Sequence, residues 1–267
     1  MKVMTQAGRE YWREVLTEGD ATTIPRWTLD PTPGVAEHVT VIDEHLATRL
    51  RASSDRQAVP LTSVLLAAHA AVVAALSGER EIVTGYHVKG DRCLPCRVAT
   101  TASSWSEMVA RAHDVEEKLH RYRDFPVDGL RPHVGLTRPR FETEFDLTDH
   151  DAPLGEHTVL RVALAPHGRT ISVLTRYRTD AVDQESAARI AGNHSAALAE
   201  MEIDPDAYTS RVDLQSTDDV RYQIEGLAGH RRDRPDVRFH GVVDLRARER
   251  PDTSAALAGE EAVCDGE

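Results

Sequence analysis

The sequence predicts an α/β fold: a two-layer sandwich in which a mixed, mostly antiparallel sheet is covered by helices. Three observations predict it. Stretches with helical periodicity, near 5–17, 62–76, 105–122 and 184–201, are interspersed with β-patterned runs at 82–88, 141–147, 158–165 and 170–178. Two of those runs flank Pro166-His167-Gly168, which reads as a hairpin turn and therefore as an antiparallel pair. The length, 267 residues, suits one large domain or one domain with an appendage.

The elements follow in order. Residues 5–17 form an amphipathic helix with Tyr11, Trp12, Val15 and Leu16 on one side. Pro25, Pro31, Pro33 and Gly34 mark a loop. His38 to Ile42 reads as a strand and Glu44 to Ser53 as a helix. The helix from about Thr62 to Leu76 is apolar nearly all round, which places it inside the core, and Gly78 stops it. Ile82 to Val88 reads as a buried strand.

Ser104 followed by Glu107 is a capping box, opening a helix with a stripe of Trp105, Met108, Val109, Ala112, Val115, Leu119 and Tyr122. Phe141, Thr143, Phe145 and Leu147 alternate with Glu142, Glu144 and Asp146, the pattern of a half-buried strand with a wet outer side. Thr158 to Ala165 and Thr170 to Arg178 are two further strands. Asp183 caps a helix running to about Met201, with Ile190, Ala191, His194 and Leu198 facing inward. Ser216 to Glu225 has the makings of another helix, and Arg231 to Arg238 reads as linker.

Composition excludes several classes. A net charge of −12 disfavours binding to a phosphate backbone, so no nucleic acid is expected. The longest apolar run, Val64 to Leu76, is too short to span a bilayer. Three cysteines without a signal peptide fit a reducing, cytoplasmic setting.

The chemistry-bearing residues assemble into no site. Cys93-Leu94-Pro95-Cys96 has redox or zinc spacing, but a redox pair should open a helix, and a structural zinc site needs two more ligands at matching spacing. The expectation is two small buried side chains on a strand. Asp149-His150-Asp151 with Glu156-His157 reads as a solvated turn rather than a metal site. His69 and His194 read as satisfied core histidines, and His113 and His167 as exposed. No glycine-rich phosphate loop appears and no nucleophile–base–acid set can be assembled, so catalytic residues, metal ligands and cofactors are all expected to be none.

Several segments, taken in order, carry a resemblance. They are Glu10-Tyr11-Trp12-Arg13-Glu14-Val15-Leu16, Leu65-Leu66-Ala67-Ala68-His69, Ser77-Gly78-Glu79-Arg80-Glu81-Ile82-Val83-Thr84-Gly85, Asp124-Phe125-Pro126 and Tyr177-Arg178-Thr179-Asp180. Together they resemble the second half of a nonribosomal peptide synthetase condensation domain, a fold of two chloramphenicol-acetyltransferase-like lobes. The resemblance implies that residues 1–210 are the C-terminal lobe and 211–238 a linker. Phe239-His240 to Arg248, followed by Arg250-Pro251-Asp252, resembles the start of an adenylation domain, implied over 239–267.

That family catalyses with His-His-x-x-x-Asp-Gly near the end of its first half, and the resemblance places this chain downstream of that motif. His120-Arg121-Tyr122-Arg123-Asp124 and His240-Gly241-Val242-Val243-Asp244 imitate its spacing only in part, and neither is expected to be catalytic. Relative to the family, the stretch between Gly85 and Cys93 and the stretch after Pro126 are shortened, where the family bridges its lobes. What the resemblance implies is a non-catalytic lobe in an initiation module, supporting the adjoining adenylation domain in cis. Its alternatives are half of a split condensation enzyme completed in trans, or a docking module for a carrier, helper or tailoring protein.

Overall fold

A computed structural model of the protein describes residues 6–17, 21–88, 92–130, 141–147, 152–209, 214–215, 220–226, 229, 239–250, 254–258 and 261–264. The chain divides into two compact units, residues 1–220 and 221–267.

The first unit is built on a six-stranded sheet. Its elements run α1 (Gln6–Thr17), β1 (Val35–Ile42), α2 (Glu44–Gln57), α3 (Leu61–Ser77), β2 (Glu81–Val88), β3 (Arg92–Ala99), α4 (Trp105–Tyr122), β4 (Thr143–Asp146), β5 (Leu160–His167), β6 (Thr170–Arg178) and α5 (Gln184–Ile203). The strand order is β1-β6-β5-β4-β2-β3. The β1/β6, β5/β6 and β2/β3 pairs are antiparallel, and the short β4 joins the two halves by parallel pairing to β2 and β5. The sheet is thus mixed and largely antiparallel, as the pattern predicts.

Local chemistry explains the boundaries. Asp43 caps α2 by accepting from the Leu46 N–H, and Asp183 caps α5 through the Ser186 N–H. Ser104 caps α4 through the Glu107 N–H, while the Glu107 carboxylate returns to the N–H of Ser103 rather than of Ser104. The box therefore closes one residue earlier than its usual spacing. Gly78 ends α3 at φ +76, a conformation open to glycine without steric cost. The β5/β6 turn is Gly168-Arg169, one residue beyond the predicted place, because His167 still pairs with Thr170.

Strand alternation sorts the sheet into two faces. One face carries Ile82, Thr84, Tyr86, Phe145, Leu160, Val162, Val173 and Tyr177, all buried and packed in one core with α3, α4 and α5. Helix α3 lies at its centre: Val64 to Ala70 are all buried, His69 among them. Trp12 of α1 is fully buried and donates from Nε1 to the Tyr122 carbonyl at the end of α4, 3.1 Å away.

The other face departs from expectation. The 141–147 run is not wet on its outer side: β4 is buried on both faces, with Glu144 and Asp146 as inaccessible as Thr143 and Phe145. Over Glu144 the reason is the segment 152–158, whose Ala152 and Pro153 carbonyls and Thr158 hydroxyl bond to Arg161 and Glu144 across the strands. Towards β1 this face is bare: Val35, Val39 and Val41 are each more than half exposed.

The second unit holds a short π-helical turn (Tyr222–Gly226), α6 (Phe239–Glu249) and a two-stranded antiparallel ribbon, β7 (Ser254–Ala258) with β8 (Glu261–Cys264). Of the helix expected over Ser216 to Glu225, residues 216–219 lie outside the described ones, and the rest is helical or π-helical.

Candidate functional site

Three polar clusters interrupt the apolar interior, each built from residues far apart in sequence. The first joins α3, α5 and the sheet. His69 Nδ1 lies 3.3 Å from His194 Nε2, His69 Nε2 lies 3.2 Å from Thr84 Oγ1, and His194 Nδ1 lies 2.7 Å from the Ile190 carbonyl. A carbonyl only accepts, so His194 carries its proton on Nδ1 and accepts on Nε2. His69 then donates from Nδ1 to His194, and its Nε2 faces the Thr84 hydroxyl, which accepts from the Thr143 hydroxyl at 3.1 Å and whose single proton is shared with the Thr143 carbonyl, 2.9 Å away. Both rings sit neutral in this network, and both are fully buried. The expectation of satisfied core histidines holds for both.

Burial lowers the pKa of His194 from 6.5 to about 4, and burial together with neighbouring His194 lowers that of His69 well below 6.5. The folded state therefore binds fewer protons than the unfolded state in this interval. Stability from the pair is complete above pH 6.5 and is lost as pH falls toward about 4. His194 alone is expected to remove about 3 kcal/mol across that window. Urea unfolding at neutral and mildly acid pH measures this. A His69→Leu, His194→Leu double variant should show a flatter profile than the parent.

The second cluster centres on Glu116 of α4, a charged residue inside an otherwise apolar stripe. Its carboxylate accepts from Thr62 (3.0 Å), Ser63 (2.5 Å) and the Tyr86 hydroxyl (2.6 Å). His113, expected to be exposed, is half-buried with Nδ1 3.2 Å from the Ser63 hydroxyl. His120 is exposed beside the same carboxylate, at 3.9 Å, and faces the Tyr86 ring edge-on. These hydroxyl contacts give a buried carboxylate its partners; they make no acid–base pair aimed at solvent.

The third cluster lies on the second face of the sheet, across β3, β2, β4 and β5. Glu144 Oε2 is 2.9 Å from His87 Nε2 and 2.7 Å from Arg161 Nε, and its Oε1 accepts from Thr158 at 2.5 Å. Arg161 spends its remaining donors on the carbonyls of Ala152 (2.7 Å) and Pro153 (3.0 Å). Burial opposes the charge on Glu144, but the hydrogen bonds of His87 and Thr158 and the Arg161 guanidinium together hold its carboxyl below the usual value. Arg176 extends the network, donating to the Ala152 carbonyl and pairing with Glu37 of β1 at 2.5 Å.

Cys93 belongs to this third cluster, and Cys96 does not. Three residues apart on β3, the two point to opposite faces. Cys96 is buried on the helix face and Cys93 is half-exposed on the other. The spacing therefore brings no shared redox or metal site. Burial raises both thiol pKa values, so neither is an activated nucleophile.

Gly85 explains the close approach: a β-carbon there would stand 2.4 Å from Cys93 Sγ, 2.9 Å from Phe141 Cδ2 and 3.2 Å from Glu144 Cγ. A ring nitrogen of His87, the Sγ of Cys93 and a carboxylate oxygen of Glu144 lie within 4.8 Å of one another. Sequence reading missed this trio. Its signal was Gly90: folding the sequence about that residue sets His87 opposite Cys93, the register observed.

The remaining candidates are scattered. Asp149, His150 and Asp151 lie outside the described residues; Glu156 and His157 form a loose pair at 4.0 Å on a turn. His167 is exposed as expected. His240 and Asp244 are both exposed on α6. No single helix among the described residues is long and apolar enough to cross a membrane.

A six-stranded mixed sheet with helices on one face is the architecture of a condensation-domain lobe, and comparison with solved structures places it in that fold class. The whole chain superimposes on part of a four-domain nonribosomal peptide synthetase crystallised with AMP and glycine, with TM-score 0.75 and 14% identity, covering 24% of that chain. The first condensation domain of the CDA synthetase matches 79% of this chain with TM-score 0.62 and 16% identity, over 54% of its own length. The X-domain from teicoplanin biosynthesis, solved in complex with OxyB, matches 79% with TM-score 0.67 and 17% identity, over 55% of its own length.

Among curated proteins, the chain is similar to bacitracin synthase 2 of Bacillus licheniformis, at 22% identity over 255 residues, 82% of this chain. It spans 10% of that relative's length. No family model matches the sequence.

Proposed function

We propose that the chain is a non-catalytic condensation-type lobe of a nonribosomal peptide synthetase, acting as a platform for an adenylation domain in the same polypeptide. The observation that carries this reading is a pairing: a condensation-domain lobe fold on a sequence that holds no His-His-x-x-x-Asp-Gly. Amide formation requires an amine to attack a carrier-bound thioester, and a positioned base is worth about 100- to 10,000-fold. His69 and His194 are neutral core members, His113 and His120 are helix residues, and His87 belongs to an ion-paired network.

On this reading residues 1–210 are the lobe, 211–238 the linker and 239–267 the opening of the adenylation domain, in a module that initiates a peptide. In support, isolated condensation and X-domains match about four-fifths of the chain, whereas the multidomain synthetase matches all of it. Removing residues 1–210 from the polypeptide that carries them should expose apolar surface on the adenylation domain. The expected result is a lower melting temperature and poorer soluble yield, read beside amino-acid-dependent pyrophosphate exchange. Unchanged melting temperature and yield would contradict the platform role.

One observation favours a second reading. Val35, Val39 and Val41 form an exposed apolar row on edge strand β1. Such a surface suits a further protein: a first lobe bringing the histidine motif in trans, or a carrier, helper or tailoring protein. Amide formation on addition of a separately expressed first lobe would select it.

A further inference from the structure

We propose that His87, Cys93 and Glu144 form a binding site for a single divalent transition-metal ion of the zinc class, on the sheet face away from the helices. The three side chains come from three adjacent strands and converge above Gly85. His87 and Cys93 are directly opposed on β2 and β3, and Glu144 of β4 is opposed to Gly85. Their donor atoms already lie within 4.8 Å of one another.

For the imidazole and the carboxylate the geometry fits a small ion with little movement. Zinc holds nitrogen and oxygen at about 2.0–2.2 Å and thiolate sulfur at about 2.3 Å, so tetrahedral N and O ligands stand about 3.3 Å apart. His87 Nε2 and Glu144 Oε2 are 2.9 Å apart, so a few tenths of an ångström of side-chain rotation opens the space. An ion there replaces the hydrogen bond between imidazole and carboxylate: the His87 ring takes the tautomer protonated on Nδ1, freeing Nε2 to ligate, and the thiol proton of Cys93 leaves to solvent.

The surroundings resemble those of ligands held in place for a metal. Thr158 fixes Oε1 of Glu144, and Arg161, anchored on two carbonyls, fixes Oε2. Hydrogen-bonded carboxylates of this kind accompany metal ligands and orient them. Arg161 adds a positive charge that opposes the ion. The thiolate and the Glu144 carboxylate balance a divalent ion. His87 and Cys93 are not fully enclosed, so an ion enters from solvent and a fourth ligand, water or another molecule, completes its shell. Nitrogen, sulfur and oxygen together favour zinc over magnesium or calcium, which take oxygen ligands.

The test uses the full chain after chelator treatment, titrated with Zn²⁺ by calorimetry and with Co²⁺ by absorbance. The proposal expects one equivalent bound per chain and a thiolate-to-cobalt charge-transfer band. Cys93→Ser should abolish the band, and His87→Ala, which removes a direct ligand, should weaken binding by more than the roughly 10- to 100-fold that loss of an outer-shell partner costs. Circular dichroism of both variants must show the parent fold. Cys96→Ser should leave the band intact, since Cys96 faces the other side of the sheet. No stoichiometric binding would overturn the site. A band that survives Cys93→Ser, or binding that both variants retain, would overturn it equally, as the mark of other histidines or cysteines.

Discussion

Arg161→Ala is expected to destabilise the first unit by about 3–5 kcal/mol, because it leaves the Glu144 carboxylate buried without its cation. Both partners are almost wholly inaccessible, with side chains 5% and 6% exposed. The substitution removes more than one ion pair. It also frees the Ala152 and Pro153 carbonyls, which hold segment 152–158 over the sheet. Arg176 continues to hold Ala152, so the segment should loosen rather than detach. Denaturant unfolding reads the loss. Arg161→Met with Glu144→Gln, which removes both charges, should recover a substantial part of it. A loss within about 1 kcal/mol for Arg161→Ala would mean that water reaches Glu144 and the pair behaves as a surface one.

Trp12→Ala is the second large effect, at about 3–5 kcal/mol. Trp12 is fully buried, and its ring meets Tyr11 at 4.8 Å between centroids. Its Nε1 donates to the Tyr122 carbonyl, at the end of α4 where helical carbonyls lack helical partners. Trp12→Phe keeps most of the apolar area but loses that bond, about 1 kcal/mol, together with part of the ring packing. Trp12→Phe should therefore lose clearly less than Trp12→Ala; equal losses would mean that the phenyl ring recovers none of the packing.

The sequence made the fold legible where periodicity was strong and local. Helix α3 is apolar all round and lies at the centre of the core. Asp183 and Ser104 announced the starts of α5 and α4 through capping chemistry that needs only neighbouring residues. β4 shows where local reading stops. Its alternation is that of a half-wet strand, yet Glu144 and Asp146 are both buried, Glu144 because a segment beyond the strand folds back over it. Glu116 likewise sits in an apolar stripe, and its partners Ser63 and Tyr86 come from other elements.

The candidate site was less legible than the fold. His69 and His194 are 125 residues apart; their apolar helix faces implied burial but could not imply that they bond each other. The Cys93-x-x-Cys96 spacing pointed to a shared site, and strand geometry turns the two thiols to opposite faces. The trio of His87, Cys93 and Glu144 draws on three strands, and a parallel β4 placed between β2 and β5 is a long-range choice that no local pattern encodes.

The central claim is that this chain supports a neighbour and does not itself join amino acids. The measurement that tests it most directly mixes the purified chain with donor and acceptor aminoacyl thioesters on their carrier proteins and follows dipeptidyl product. The account predicts product no faster than the uncatalysed background, with or without added Zn²⁺. Product formed about 100-fold or more above that background, the lower end of what a positioned base supplies, would contradict it.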